Sequence, residues 1–416
     1  MAIRSTVHQT GAAALTELLR FHPPDADHRT VPCACGHAAK YEGMRSRPIL
    51  TAVGCARIDR PYYLCPECNC GQFPADVQLD IQKTDLSPGV RRMLAAVGSE
   101  APFAQGREQI KLLADLEVTA KAVERTAESI GEDIETRQQQ DIRRAQQLNL
   151  PVIVGPAIPY MYVQMDGTQV FVVKSEIEGR AGRTPGQPPR TRECKLGCVF
   201  TQTNVDDQGR PVRDEHSTTY VGAIETAEQF GLRLYTEAWH RGWDRASIRV
   251  VMGDGSHWIW NIADQHFPGA IQIVDLYHAR EHLWELARKL FPADEAAQKR
   301  WLIPKLHWLD NGKIEKLVAA LRKLANLITN PELVKTVRIE AEYFEGNQDR
   351  MRYPEFRQKN LFVGSGVIEA GCKSVIGSRL KHSGMFWTVR GANAIIALRC
   401  SCISGQFEDY WEKRAS

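Results

Sequence analysis

No stretch of the chain approaches the ~18 consecutive apolar residues that a helix needs to cross a bilayer, so a membrane protein is not expected. The opening MAIRSTVHQTGAAALTELLRFH lacks an apolar core of roughly 7–15 residues followed by a small-residue cleavage site, which argues against export. The expectation is a cytoplasmic, nucleoid-associated protein. Strong charge of one sign is also missing: the net charge is +3, too mild to specify a polyanionic partner on its own. Hydrophobic residues at 43% and charged residues at 25% exclude wholesale disorder. An even cysteine set is absent as well. There are 11, and an odd number without a signal peptide argues against a disulfide framework. With 416 residues the chain is long enough for two to three domains.

What is present is unevenly placed. Six of the cysteines fall between Cys33 and Cys70. Cys65-Pro-Glu-Cys68 is a C-x-x-C knuckle, and Cys33-Ala-Cys35-Gly36 is one residue shorter, its glycine permitting a turn at positive φ. Two such pairs, separated by the β-like runs RPILTAV and RIDRPYYL, match a zinc ribbon in which two hairpin tips share one tetrahedral Zn²⁺. His37 or Cys70 could replace a member of the set. Four thiolates close the coordination sphere, so the zinc would be structural, and so small a module would fold largely on its metal.

From Leu86 to about Gln147 the pattern turns helical, with two shorter helices and a long one opening at Thr119. Lys121 and Arg125 lie four apart at its start, a helix-turn-helix-like arrangement; a plain three-helix packing unit is the other reading. Pro151 and Pro156 mark the next boundary.

Beyond it, carboxylates recur at the ends of apolar runs. Asp166-Gly167 sits between two β-rich runs and reads as a hairpin turn that also presents an acid. Asp254 ends SIRVVMGD and Asp275 ends IQIVD, each followed by a helical pattern. Strand-then-helix repetition argues for neighbouring parallel strands with their carboxyl ends together, where acids form a site for a hard divalent cation. Residues 294–360 break this rhythm with amphipathic helical spacing at Ile314, Leu317, Val318, Leu321, Leu324 and Ile328, an all-α insertion. Glu369 follows, on a helix opening near Ser365 with Lys373 one turn on; an ordinary i,i+4 surface pair is the bland reading. Yet from Ala370 to Phe407 there is no acid, while Lys373, Arg379, Lys381, Arg390 and Arg399 are all cations. The arginine-rich segment from Arg180 to Arg192 is a second basic stretch, and the two together tilt toward nucleic acid.

Asp166 in MDGT, Asp254 in GDGSHWIW and Glu369 in GSGVIEAGCKSVIGSRLKHSGMFWT resemble the Asp–Asp–Glu triad of bacterial insertion-sequence transposases, most closely the ISKra group. The resemblance covers nearly the whole chain, the N-terminal cysteine module included. Asp275-Leu-Tyr-His278 is similar to the C/D-x-x-H element of Mutator-like transposases. The implied fold class is α/β, a ribonuclease-H-like core interrupted by an all-α insertion and preceded by a zinc ribbon and a helical region. The domains would be residues 1–82 with the ribbon, 83–150 helical and DNA-binding, 151–293 the first part of the core, 294–360 the insertion, and 361–416 the final helices carrying the Glu.

The resemblance implies two-metal phosphoryl transfer with Mg²⁺ or Mn²⁺: Asp166 bridges both ions, and Asp254 and Glu369 each hold one. His278 would donate a proton to the leaving group or bind the scissile phosphate. Lys373, Arg379, Lys381 and Arg390 would hold DNA phosphates, and Trp387 would stack on an exposed base unless it packs in the core. The partners implied are the element's terminal repeats, target DNA and a second copy of the chain, since two DNA ends must be brought together.

Two other functions compete. His278-Ala-Arg-Glu281-His282 is a literal H-x-x-E-H, the inverted zinc-peptidase motif, with both histidines on one helical face and Glu281 as base. A non-catalytic zinc-containing DNA-binding regulator would explain the ribbon and the cations, but not the acids at strand ends.

Overall fold

The computed structural model describes residues 2–180 and 189–415; the middle of the arginine-rich segment, with Arg183, lies outside the described residues. Two compact units are present, Met1–Gly131 with Phe407–Ser416, and Glu132–Gln406.

The first unit starts with helix α1 (Ala2–Leu18) and a four-stranded antiparallel sheet in sequential order: β1 (Thr30–Pro32), β2 (Ala38–Thr51), β3 (Gly54–Leu64) and β4 (Gly71–Gln72). The β2–β3 hairpin is its backbone. Its two-residue turn ends at Gly54, whose φ of +106° suits a residue without a Cβ. Alternation along β3 turns Ala56, Ile58 and Arg60 inward. Ile49, Ile58 and Ile81 form one small core, and burying each is worth about 1.5–3 kcal/mol. Arg60 is buried with them and answered by Asp76 at 2.6 Å, on the short helix α2 (Pro74–Gln78). Helices α3 (Pro88–Glu100), α4 (Phe103–Ala114) and the long α5 (Ala120–Gln146) follow. The first is capped by Ser87, which accepts from the Val90 amide. Val90, Leu94, Ile110, Leu116 and Val123 hold the three together. Helix α5 runs from the first unit into the second.

The second unit is built on a five-stranded sheet. Strands β5 (Ile158–Phe171), β6 (Thr191–Gln202) and β9 (Thr219–Ala223) pair antiparallel; β10 (Ala246–Gly253) and β11 (Ile271–Val274) run parallel to β5. The order across the sheet is β11–β10–β5–β6–β9. Two short strands, β7 (Asn204–Val205) and β8 (Pro211–Val212), form a separate ribbon. Helix α6 (Ala227–His240) links β9 to β10, α7 (His257–His266) links β10 to β11, and α8 (Leu276–Leu290) leaves β11.

Residues 294–360 are helical, comprising α9 (Glu295–Asp310), α10 (Ile314–Leu327), α11 (Pro331–Gly346) and α12 (Tyr353–Gln358). Then comes α13 (Gly366–Gly371), which continues as a π-helical segment (Cys372–Gly377) into α14 (Ser378–Leu380), followed by α15 (Val389–Ile403). The last helix, α16 (Phe407–Ala415), belongs to the first unit, where Arg414 pairs with Asp80 at 2.6 Å.

Adjacent residues of β6 show which helices cover which face. A side chain at Gly197 would run into Phe230 and Leu234 of α6. Leu196 points the opposite way and reaches Gly371 of α13. Helices therefore cover both faces of the sheet.

One expectation is corrected here. Asp166-Gly167 is not a turn: β5 is a single strand paired with β6 from Tyr160↔Gln202 to Phe171↔Thr191. Gly167 does not take the positive φ that a two-residue hairpin turn demands.

Candidate active site and metal centre

Asp166 and Asp254 are brought side by side by strand register. The parallel β5–β10 ladder ends at Gln164↔Met252, so Asp166, on β5, and Asp254, just past the end of β10, each lie two residues beyond the last pair. Strands in a sheet are ~4.8 Å apart. Asp166 also faces Leu196 across the antiparallel pair, which puts it on the face covered by α13. Its Oδ1 accepts from the Gly167 amide at 2.7 Å, and its Oδ2 accepts from the Cys372 thiol at 3.5 Å. Burial raises the Asp166 carboxyl above the ordinary range, and the neighbouring Asp254 adds to the rise; the Gly167 amide, Cys372 and His278 oppose it.

Asp254 bonds the Ser256 amide at 2.8 Å, while its backbone carbonyl accepts from the Tyr343 hydroxyl of α11 at 2.8 Å. Gly255, at φ +100°, gives the Tyr343 ring room, since a Cβ there would lie 2.5 Å from it. Tyr343 is not signalled by the sequence motifs.

Glu369 is exposed on α13, with Ser365 Oγ donating to its Oε1 at 3.4 Å. The helix is docked on β5 by the Ile368 amide, which donates to Gln164 Oε1 at 3.1 Å. Glu369 lines a cavity of about 560 Å³ shared with Tyr277, His278, Glu281, Trp284 and Arg288. Among the described residues, no Lys, Arg or His nitrogen lies within 4.0 Å of the Asp166, Asp254 or Glu369 carboxylates; Lys373 makes no ion pair with Glu369. The three are not drawn tightly together: their ligand atoms do not all lie within 4.8 Å of one another.

Asp275 differs from the other two strand-end acids. It is fully buried, and its oxygens are taken up by backbone amides: Oδ1 accepts from Tyr277 and His278, and Oδ2 from Ser365. It caps α8 and ties the approach to α13 onto the end of β11.

The H-x-x-E-H string is split by its surroundings. His282 Nδ1 pairs with Glu340 Oε2 at 2.8 Å, and its ring stacks on Tyr343 at 4.0 Å. His278 lies at the mouth of the Glu369 cavity, its Nδ1 3.6 Å from Glu281. Among the described residues the two histidines join no group of three ligands within 4.8 Å.

The basic stretch is mostly committed elsewhere. Arg379 is fully buried, its guanidinium 5.2 Å from the Trp387 ring centre. Trp387 is buried, donating Nε1–H to the Leu380 carbonyl at 3.2 Å. Arg399 is buried, and Arg390 pairs with Glu132 at 2.5 Å. Lys373 and Lys381 face solvent, with Lys381 bonded to Thr168 Oγ1.

The cysteine knuckles form the second centre. Cys33, Cys35, Cys65 and Cys68 have all four sulfurs within 4.8 Å of one another. Cys33 and Cys68 are 3.5 Å apart, and Cys35 and Cys65 3.6 Å. A tetrahedron with Zn–S bonds of ~2.3 Å has edges of ~3.8 Å, so the thiol set fits Zn²⁺. Each pair sits at a hairpin tip: the Cys33 amide bonds the His37 carbonyl at 2.8 Å, and the Cys65 amide the Cys70 carbonyl at 3.0 Å. The Cys68 amide, aided by that of Glu67 and opposed by burial, lowers the Cys65 thiol to about 6. His37 Nδ1 lies 3.5 Å from Cys35 Sγ, outside the four-sulfur group, as is Cys70.

No family model matches the chain, and no curated protein matches it. Among solved structures it is similar to a Drosophila P element transposase strand transfer complex, at 8% identity and a TM-score of 0.27, over 82% of this chain and 85% of that one. So slight a likeness carries neither fold nor function. No helix among the described residues is long and apolar enough to cross a membrane.

Proposed function

We propose that the chain is an insertion-sequence DNA transposase of the Asp–Asp–Glu type, cutting and rejoining DNA at element ends by metal-dependent phosphoryl transfer. One arrangement carries this reading: Asp166 on β5 and Asp254 just past the end of β10, each two residues beyond the last pair of that parallel ladder, with Glu369 on a helix bonded to the same β5. The strand order supports a ribonuclease-H-like core, three antiparallel strands followed by two parallel to the first. The helices of residues 294–360 are then the insertion ahead of the Glu.

Asp166, Asp254 and Glu369 would offer only carboxylate oxygens, which suits Mg²⁺ or Mn²⁺. Such ions, when bound, would stabilise charge on the attacking and leaving oxygens. The chain's own part is to hold the carboxylates. The Gly167 amide and the Cys372 thiol fix the two Asp166 oxygens, and Ser365 steadies Glu369. His278, which lines the same cavity as Glu369, would give a proton to the leaving oxygen. Lys373 and Lys381 are the cations of the C-terminal stretch left for phosphates. The Cys33–Cys35–Cys65–Cys68 set holds a structural Zn²⁺, and α3–α5 form a DNA-binding region. Joining two ends calls for a dimer or larger assembly.

The test is cleavage of a plasmid carrying the gene and its native flanking DNA, with Mg²⁺ or Mn²⁺. Asp254→Asn should bind this DNA as wild type does and cut none of it. Retained cutting would sink the assignment. A wild-type protein that binds but never cuts would favour the regulator.

A further inference from the structure

The helical insertion carries a feature that the carboxylate site does not use. On α9, Lys305 lies between two indoles, its Nζ 4.8 Å from the Trp301 ring centre and 5.6 Å from that of Trp308. Lys316, on α10, sits 4.7 Å from the same Trp308 ring. Trp301, Lys305 and Trp308 are half-buried and Lys316 is exposed, so the row runs along the surface. Cations over indole faces are attracted by the ring quadrupole and lose freedom of movement.

These ammonium groups have no counter-charge. Among the described residues, neither they nor Lys299, Arg300 and Lys313 have a carboxylate within 4.0 Å. Of the acids of the same two helices, Asp310 pairs with Arg280 at 2.8 Å and Glu315 with Arg352 at 2.5 Å, while Glu295, at the start of α9, makes no ion pair with these cations among the described residues. The result is a patch of unpaired cations, two of them held in place by aromatic rings rather than by acids.

We propose that this α9–α10 face is a binding surface for the phosphate backbone of nucleic acid, with Lys305 and Lys316 as its fixed contacts. Indole-held ammonium groups suit a regularly charged backbone because their side-chain freedom is already given up before binding. An acidic protein would offer carboxylates at irregular spacing and gain less from two fixed cations. Partial burial lowers the Lys305 ammonium, a cost that a phosphate beside it would relieve.

The experiment is fluorescence anisotropy of the full-length protein with random-sequence duplex DNA, across a range of salt and without divalent ions. Lys305→Gln with Lys316→Gln should weaken binding and make the slope of log K against log[salt] shallower by about 1.8, two phosphates' worth. Lys316→Gln alone changes only an exposed group and should make the slope shallower by about 0.9, one phosphate's worth, which guards against misfolding at Lys305. Unchanged slopes in both variants would overturn the proposal while leaving the transposase reading in place. Wild-type protein that ignores DNA would overturn both. Competition by polyglutamate as effective as that by DNA would overturn this proposal in favour of an acidic protein partner.

Discussion

The Cys372 thiol donates to Asp166 Oδ2 across 3.5 Å, linking the first residue of the π-helical segment to the middle of β5. Burial, with the adjacent Asp166 charge, pushes that thiol up, so it stays protonated and acts as a donor. Even with this bond, burial keeps the Asp166 carboxyl raised.

The first prediction follows from that sign. A carboxyl raised on folding binds its proton more tightly in the folded state, so above its folded pKa the charge costs stability. Asp166→Asn should therefore raise Tm at neutral pH without divalent ions, and the gain should vanish as acid protonates the wild type. Mg²⁺ should raise the Tm of wild type, by about 2.7 kcal/mol of stability at a hundredfold excess over Kd, and leave the variant unmoved. Differential scanning fluorimetry with and without Mg²⁺ checks this; an equal Mg²⁺ response in both proteins would count against Asp166 as a ligand.

A second prediction concerns the thiol cluster. One zinc per chain should be found by metal analysis, and Cys68→Ser should lose it while Cys70→Ser keeps it. Removing the metal should open the segment that carries the knuckles to protease and leave the Ile49–Ile58–Ile81 core and the second unit intact, because the thiol end of the sheet has little core beyond Cys33, Ala39, Tyr63 and Cys65. Unchanged proteolysis of that segment after chelation would contradict it.

Asp275 yields the third. Replacing it with Ala leaves the Tyr277, His278 and Ser365 amides without their acceptor, at a cost of roughly 1–3 kcal/mol for each group left buried. Asp275→Asn keeps one carbonyl oxygen for the α8 cap and loses the Ser365 bond, so urea unfolding should rank it between wild type and Asp275→Ala. Equal losses in the two variants would show that the Ser365 bond, and not the cap, carries the stability.

These particulars show what could be read from the sequence and what could not. The thiol set was legible because knuckle spacing is local chemistry, and Asp254 and Asp275 because apolar runs end on them. Asp166-Gly167 was misread as a turn: the doublet is a local turn signal, but β5 continues because β6, about thirty residues on, pairs with all of it. The H-x-x-E-H string was equally visible, yet the fate of His282 is set by Glu340 and Tyr343 on α11, which no local spacing announces. Charge counting failed most plainly, since it cannot tell an exposed cation from a buried one, and Arg379 and Arg399 are buried.

Arg399 turns that failure into a fourth prediction. Its Nε donates to the Val375 carbonyl at 2.7 Å, and its Nη2 to the Ser374 carbonyl and, at 2.9 Å, to Ser378 Oγ. All three acceptors lie in or just after the π-helical segment, where the wider turn changes which carbonyls find a backbone partner. A planar guanidinium can serve three acceptors fixed in different directions, and a single ammonium cannot. Arg399→Ala should thus destabilise the second unit by about 3 kcal/mol or more, and Arg399→Lys should recover only part of this. Lys373→Ala, by contrast, alters an exposed side chain and should stay within ~0.5 kcal/mol of wild type. Denaturant unfolding followed by circular dichroism measures all three. If Arg399→Ala were as stable as wild type yet bound DNA less well, Arg399 would be a DNA contact and not a tie on the π-helical segment.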